Sequence, residues 1–122
     1  IMPRSVATPM DPKVFKTYQD AQPSPEARRG VAEFPRQIRR ARLMLEHLAA
    51  TAPRTLGGKP MELVWAMKDP AFGNPAVLAR WKRDFPSANL TEVAGANHYI
   101  QEDAPDAVAA AVRRVNSRIP AD

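Results

Sequence analysis

Two side chains in this sequence have the types and the placement that proton-transfer chemistry needs. Asp69 follows directly on the apolar run "LVWAMK", and His98 stands in "VAGANHYIQEDAP", a few residues after "LTEV". A carboxylate bonded to one imidazole nitrogen fixes the ring tautomer and stabilises the imidazolium, which leaves the other nitrogen as a general base. Such a pair is the base and acid of a nucleophile–base–acid triad. His98 is framed by Gly95, Ala96 and Asn97, so local packing does not account for it.

The remaining candidates carry less. His47 falls within a helical pattern with no ligand-spaced partner and reads as a partly exposed helix histidine. With no cysteine in the chain, a disulfide framework, thiolate metal sites and a thiol nucleophile are excluded; this composition fits a reducing, cytoplasmic compartment. No metal and no cofactor is expected. Ser5, Ser24, Ser87 and Ser117 lie in turn, cap or helix-end contexts. None has the glycine framing of a nucleophile on a strand-to-helix turn, and neither does any aspartate.

The elements that must position Asp69 and His98 are legible around them. "MELVWAMK" is apolar almost throughout, as expected of a parallel strand covered on both faces. Asn74 and Pro75 open a helix through Val77, Leu78 and Trp81. "LTEVA" is a second short strand, and a last helix is expected from about Ala104 to Arg118 with Asp103 as N-cap. Val108, Val112, Val115 and Ile119 would form its buried stripe. Strand, helix, strand, helix predicts a parallel βαβ unit, in which groups just beyond the carboxyl ends of the strands converge.

Upstream, Asp11 and Pro12 predict a short helix bearing Val14, Phe15 and Tyr18. "QPSPEARRG" predicts another, with Ser24 as N-cap, Pro25 at its first position and Gly30 near its end. A longer helix is expected from Pro35 to about Leu48, on Ile38, Ala41, Leu45 and Leu48, and "TAPRTLGGKP" then reads as a connection. Trp65 and Trp81 read as core.

The formal net charge of +5 raises the question of an acidic partner. The arginines at 36, 39, 40 and 42, and at 113, 114 and 118, interleave with apolar residues at helical spacing and read as solvated helix faces. Base-stacking aromatics are not interleaved with them, so no nucleic acid is expected as partner. No run of about 18 apolar residues exists to span a bilayer, and no membrane partner is expected. The 122 residues suit one domain or part of one, and a start at Ile1 suggests truncation.

"LVWAMKDPAF" with "FPSANLTEVAGANHYIQEDAPDAVAAAV" resembles the C-terminal part of α/β-hydrolases, and specifically of haloalkane dehalogenases and their relatives. There the acid follows a strand in a "G-x-K-D-x-x-x" segment and the base lies in "G-x-x-H-F-x-Q-E". Asp69 corresponds to the acid and His98 to the base, with Gln101 and Glu102 completing the signature. "YQDAQPSPEARRGVAEFPRQI" likewise resembles the cap segment of those enzymes, with its "Y-x-x-P-F-P", "R-x-G" and "F-P-R" pattern, so the resemblance runs from about residue 11 to 119. Two departures stand out: Ala21-Gln22 replaces the usual Pro-Phe, putting a polar amide at an apolar wall, and Tyr99 replaces Phe after the histidine.

The resemblance implies an α/β chain comprising the C-terminal portion of an α/β-hydrolase fold, two parallel strands with flanking helices, preceded by helices from a cap. Residues 1–50 would complete the cap and its connection, and residues 51–122 would be core. It implies catalytic roles for Asp69 and His98, a pocket lined by Gln22, Pro23, Ala71, Phe72 and Tyr99, and a halogenated hydrocarbon or a related ester or epoxide as substrate. The missing nucleophile and the short sheet predict a fragment, inactive alone, whose partner is the N-terminal half of the hydrolase or a second copy meeting the exposed strand edge. An epoxide hydrolase, an esterase and a non-catalytic basic binding module are the alternatives.

Overall fold

The computed structural model describes residues 2–120. They fall into two compact units, one of residues Met10–Ala52 and one of the rest of the described chain.

Within Met10–Ala52, helix α1 (Pro12–Asp20) begins where its sequence says it should. The Asp11 carboxylate accepts from the Lys13 N–H, and Pro12 occupies the first turn, where a missing N–H costs nothing. The segment after it departs from expectation. Ser24 caps only an isolated turn, with its Oγ accepting from the Ala27 N–H, and helix α2 (Arg29–Arg40) follows directly. Gly30 therefore lies at the start of α2 rather than at the end of an earlier helix, and Pro35 lies inside α2 rather than opening a helix. The turn at 24–28 supplies carbonyls to the first N–H groups of α2, as Arg28 does to Ala32, so the helix nucleates before the proline.

Helix α3 (Arg42–Leu56) is separate from α2. Ala41, with φ −78° and ψ 9°, breaks the single helix that apolar spacing implies. The expected connection at 51–60 is also shorter than it looks, because α3 continues through Pro53 and ends at Leu56. Gly57 follows, its N–H donating to the Pro53 carbonyl. His47 lies exposed on α3.

The other unit carries the sheet. Strands β1 (Glu62–Ala66) and β2 (Asn89–Val93) pair in parallel, with Leu63 opposite Leu90 and Trp65 opposite Glu92. Helix α4 (Pro75–Asp84) joins them, capped by the Asn74 side chain accepting from the Ala76 N–H. Leu63, Leu78 and Phe85 are buried, and Trp81 stacks on Phe85 at 5.4 Å while tilting against Trp65 at 6.5 Å. Trp81 is nonetheless 42% exposed, which is less burial than a core position implies.

The expected last helix is two. A short α5 (Ile100–Asp103) and a longer α6 (Pro105–Asn116) meet at Ala104, whose φ of −146° and ψ of 58° are not helical. Asp103 ends α5 and does not cap α6. The apolar stripe is on the predicted spacing but only partly covered: Val108 and Val115 are half-buried, whereas Val112 is 63% exposed and Ile119, beyond the end of α6, 55%. With Val64 and Ile100 they line an open groove of about 520 Å³.

Two of the expected solvated arginines are structural. Arg114 and Arg118 donate to Glu62 at 2.8 and 2.6 Å, and the Glu62 side chain is only 2% exposed. Asn89 Nδ2 donates to the same carboxylate at 2.8 Å. Glu62 thereby ties the starts of both strands to α6. With its side chain covered, the carboxylate has three donors whose contacts offset its desolvation, which a lone charge there could not.

Candidate active site

Ladder hydrogen bonds continue past the strand ends and bring two loops together. The Met67 N–H donates to Val93 O at 3.1 Å, and the Lys68 N–H donates to Ala96 O at 2.9 Å. Ala96 is 1% exposed, so a small residue is needed where the loops touch. The next residue of the first loop is Asp69, and His98 stands two beyond Ala96.

Asp69 uses its oxygens for different partners. Oδ1 accepts from the Ala71 N–H at 2.8 Å and holds the loop in a tight turn. Oδ2 lies 3.0 Å from His98 Nδ1. The turn closes with the Gly73 N–H donating to Asp69 O at 2.8 Å. A Cβ on Gly73 would lie 2.6 Å from Asp69 O and 2.9 Å from Met67 O, so this position accepts glycine alone without moving backbone.

Burial divides the pair as acid–base work requires. The Asp69 side chain is 6% exposed and the His98 side chain 44%. Burial by itself pushes the Asp69 carboxyl up, but the Ala71 N–H, the His98 ring and the Phe72 N–H outweigh it and hold the group below the usual carboxylate range. Ionised Asp69 can only accept, so in the neutral imidazole it selects the tautomer with the proton on Nδ1 and the lone pair on Nε2.

The imidazole is held between aromatic rings. Phe72 stacks on it at 5.9 Å with 16° between the planes, and Tyr99 meets it edge-on at 5.5 Å and 82°. A cavity of about 300 Å³ opens beside the pair, bounded by Phe72, Trp65, Trp81 and Ile100. The Trp65 Nε1 atom is buried, with no hydrogen-bond partner among the described residues.

Of the expected pocket residues, Phe72 forms a wall of this cavity and Tyr99 flanks the histidine. Ala71 contributes its backbone N–H to Asp69. Gln22 and Pro23 belong to the unit Met10–Ala52, in the turn after α1, where Arg28 Nε donates to Gln22 O at 2.9 Å. Sequence reasoning missed two residues that shape the site. Gly73 was marked by the spacing "DPAFG", a tight turn closing on a glycine, and Asp103 had a local reading as a cap that concealed its actual partners.

Asp103 accepts from the Asn97 N–H at 2.8 Å, and from the N–H groups of Ala7 and Thr8 at 2.9 and 3.0 Å. Among the described residues, no group of three or more His, Cys, Asp or Glu side chains is arranged to hold a metal ion, and no helix is long and apolar enough to cross a membrane.

A parallel strand–helix–strand–helix order, with an acid after one strand and a histidine after the next, is consistent with the C-terminal portion of an α/β-hydrolase. The comparisons sharpen this. The chain is 50% identical over 99 residues to haloalkane dehalogenase 2 of Mycobacterium tuberculosis (strain H37Rv), and equally to haloalkane dehalogenase 2 of Mycobacterium bovis. The aligned region is 81% of this chain and 35% of each relative, so the chain spans about a third of the length of the curated relatives it matches. No family model and no solved structure matches. The chain is thus similar to the haloalkane dehalogenase-like α/β-hydrolases, as the C-terminal part of that fold.

Proposed function

We propose that this chain supplies the acid and the general base of a haloalkane-hydrolysing site, with Asp69 as acid and His98 as base. The observation that carries the reading is the 3.0 Å contact between His98 Nδ1 and Asp69 Oδ2 at the ends of adjacent parallel strands. In the proposed reaction a carboxylate nucleophile, from polypeptide additional to these residues, attacks the halogen-bearing carbon. Halide leaves with the bonding electrons and an alkyl ester forms. His98 Nε2 then takes a proton from water as the oxygen attacks the ester carbonyl; the alcohol departs and the nucleophile is regenerated. Asp69 stabilises the imidazolium formed in between.

In this reading residues 1–50 complete a cap and its connection, and residues 51–122 belong to the catalytic core. Phe72, Tyr99 and Ala71 border the reacting centre, and Gln22 and Pro23 belong to the substrate pocket. A halogenated hydrocarbon is the first reading of the substrate, and a related ester or epoxide is the second.

The two-stranded sheet and the groove along Val64, Val112 and Ile119 favour further core polypeptide as the partner. The test is halide release from a haloalkane by the chain alone and by the chain mixed with the N-terminal part of a matching dehalogenase. Turnover is expected only in the mixture, and it should depend on Asp69. Turnover by the chain alone, abolished by His98→Ala, contradicts the proposal that the nucleophile lies elsewhere.

A further inference from the structure

Three consecutive backbone N–H groups around the histidine are each held by a different acceptor. The Asn97 N–H donates to Asp103 Oδ2 at 2.8 Å, the His98 N–H to Asn97 Oδ1 at 2.8 Å, and the Tyr99 N–H to Ser5 O at 3.1 Å. The loop is then closed on itself, because the N–H groups of Glu102 and Asp103 both donate to Tyr99 O.

Asp103 is the junction of this arrangement. Besides Asn97 it receives the N–H groups of Ala7 and Thr8, whose sequence separations from it are 96 and 95 residues. A single carboxylate therefore clasps the N-terminal segment and the histidine loop together. Three N–H groups converging on one carboxylate are charge-assisted bonds, shorter and stronger than neutral ones. Burial pushes the Asp103 carboxyl up, but the N–H groups of Asn97, Ala7 and Thr8, with the charge of Lys68, hold it below the usual range.

We infer that Asp103 is a positioning residue for His98: by clamping Asn97 and the segment Ser5–Thr8 it sets the backbone from which the imidazole reaches Asp69. Asp103 touches neither the imidazole nor the cavity described above; it acts through Asn97, whose side chain in turn holds the His98 N–H. The segment Ser5–Thr8 is thereby part of the site's support rather than a passive extension. This inference rests on the reading of His98 as the base; it adds Asp103 to that reading and gives Ser5–Thr8, there counted with the cap and its connection, a part in holding the histidine loop.

The test uses the imidazole proton of His98, observed by NMR in the chain with labelled histidine, together with amide exchange at residues 97–99. In the parent chain a hydrogen-bonded Nδ1 proton, lost on Asp69→Asn, is expected; its absence would count against the Asp69–His98 reading itself. Given that signal, Asp103→Ala should remove it and speed exchange at Asn97, His98 and Tyr99 while the amides of β1 and β2 remain protected.

Asp103→Asn, which keeps one acceptor oxygen, should preserve part of both effects. Ala7→Pro deletes a donor from the far side of the clasp without touching the histidine loop, and should loosen the same three amides. In the reconstituted hydrolase Asp103→Ala should lower kcat by about 100-fold with little change in KM, the scale expected when a catalytic group is displaced by about 1 Å. Retention of the imidazole signal in Asp103→Ala overturns the inference. So does loss of protection spread evenly over β1, β2 and the loop, since that would make Asp103 a residue of general stability.

Discussion

Nδ1 of His98 stands 3.0 Å from Oδ2 of Asp69 across 29 residues of sequence, at the ends of two strands paired in parallel. The other oxygen of Asp69 is occupied by its own loop, through the Ala71 N–H. One carboxylate thus shapes the turn that presents it and fixes the ring it serves.

Asp69→Asn separates those two tasks. The amide oxygen can still accept from Ala71, while the amide nitrogen, a donor, would face Nδ1 and favour the tautomer with its proton on Nε2. The turn should persist, with a melting temperature at neutral pH lowered only by the loss of the stability that the ionised carboxylate contributes. Hydrolysis in the reconstituted enzyme should fall by on the order of 10⁴-fold, the cost of a wrong tautomer in a comparable triad. Steady-state halide release and thermal denaturation of the same preparation check both statements.

Gly73→Ala should damage the site without altering any functional group. The new Cβ would sit 2.6 Å from Asp69 O, so the loop backbone must move, at about 1–3 kcal/mol for overpacking of this kind. Chemical denaturation should show a loss in that range. The hydrogen bond from His98 to Asp69 should weaken alongside it, because the same loop carries Asp69.

Acid should loosen the site before the helices. Asp69 and Asp103 both have carboxyls held below their ordinary range in the fold. A depressed carboxyl contributes stability in full above the unfolded value, and that contribution is lost as pH falls through the folded value. The contributions of these two groups should therefore be level through the neutral range and be lost as pH falls below the ordinary aspartate range. Asp69→Asn and Asp103→Asn should each flatten that decline, as measured by melting temperature against pH.

Glu62→Gln should destabilise the sheet end opposite the site. It leaves Arg114 and Arg118 without their shared anion, and replaces an acceptor-only group with one whose nitrogen donates. A fall in melting temperature is expected, with the His98 imidazole signal retained where the chain remains folded. Thermal denaturation and NMR on the same variant check this.

The parts of the fold legible in the sequence are those decided by neighbouring residues. Asp11 and Asn74 cap α1 and α4 because their side chains reach N–H groups two residues on. The apolar run at 62–66 and the residues that follow each strand placed Asp69 and His98 on one edge, since parallel strands end together.

What was not legible depends on distant partners. Asp103 has the position of a cap, yet its bonds go to residues 7, 8 and 97, and no spacing rule reports them. Arg114 and Arg118 have the spacing of a solvated face, and only the fold brings Glu62 to them. The stripe on α6 shows which face is apolar, but periodicity does not say whether this chain covers it. Proline read as punctuation at 35 and 53 lies within helices, where turns already formed on either side outweigh one lost N–H.

The most direct test of the central claim is the stoichiometry of halide release with His98→Ala in the reconstituted hydrolase. If His98 is the base for ester hydrolysis and not for the displacement, the variant should release about one halide per active site and stop. The alkyl group should then remain on the protein as an ester detectable by mass spectrometry. Continued turnover at the parent rate, with no ester accumulating, would contradict the assignment of His98 as general base.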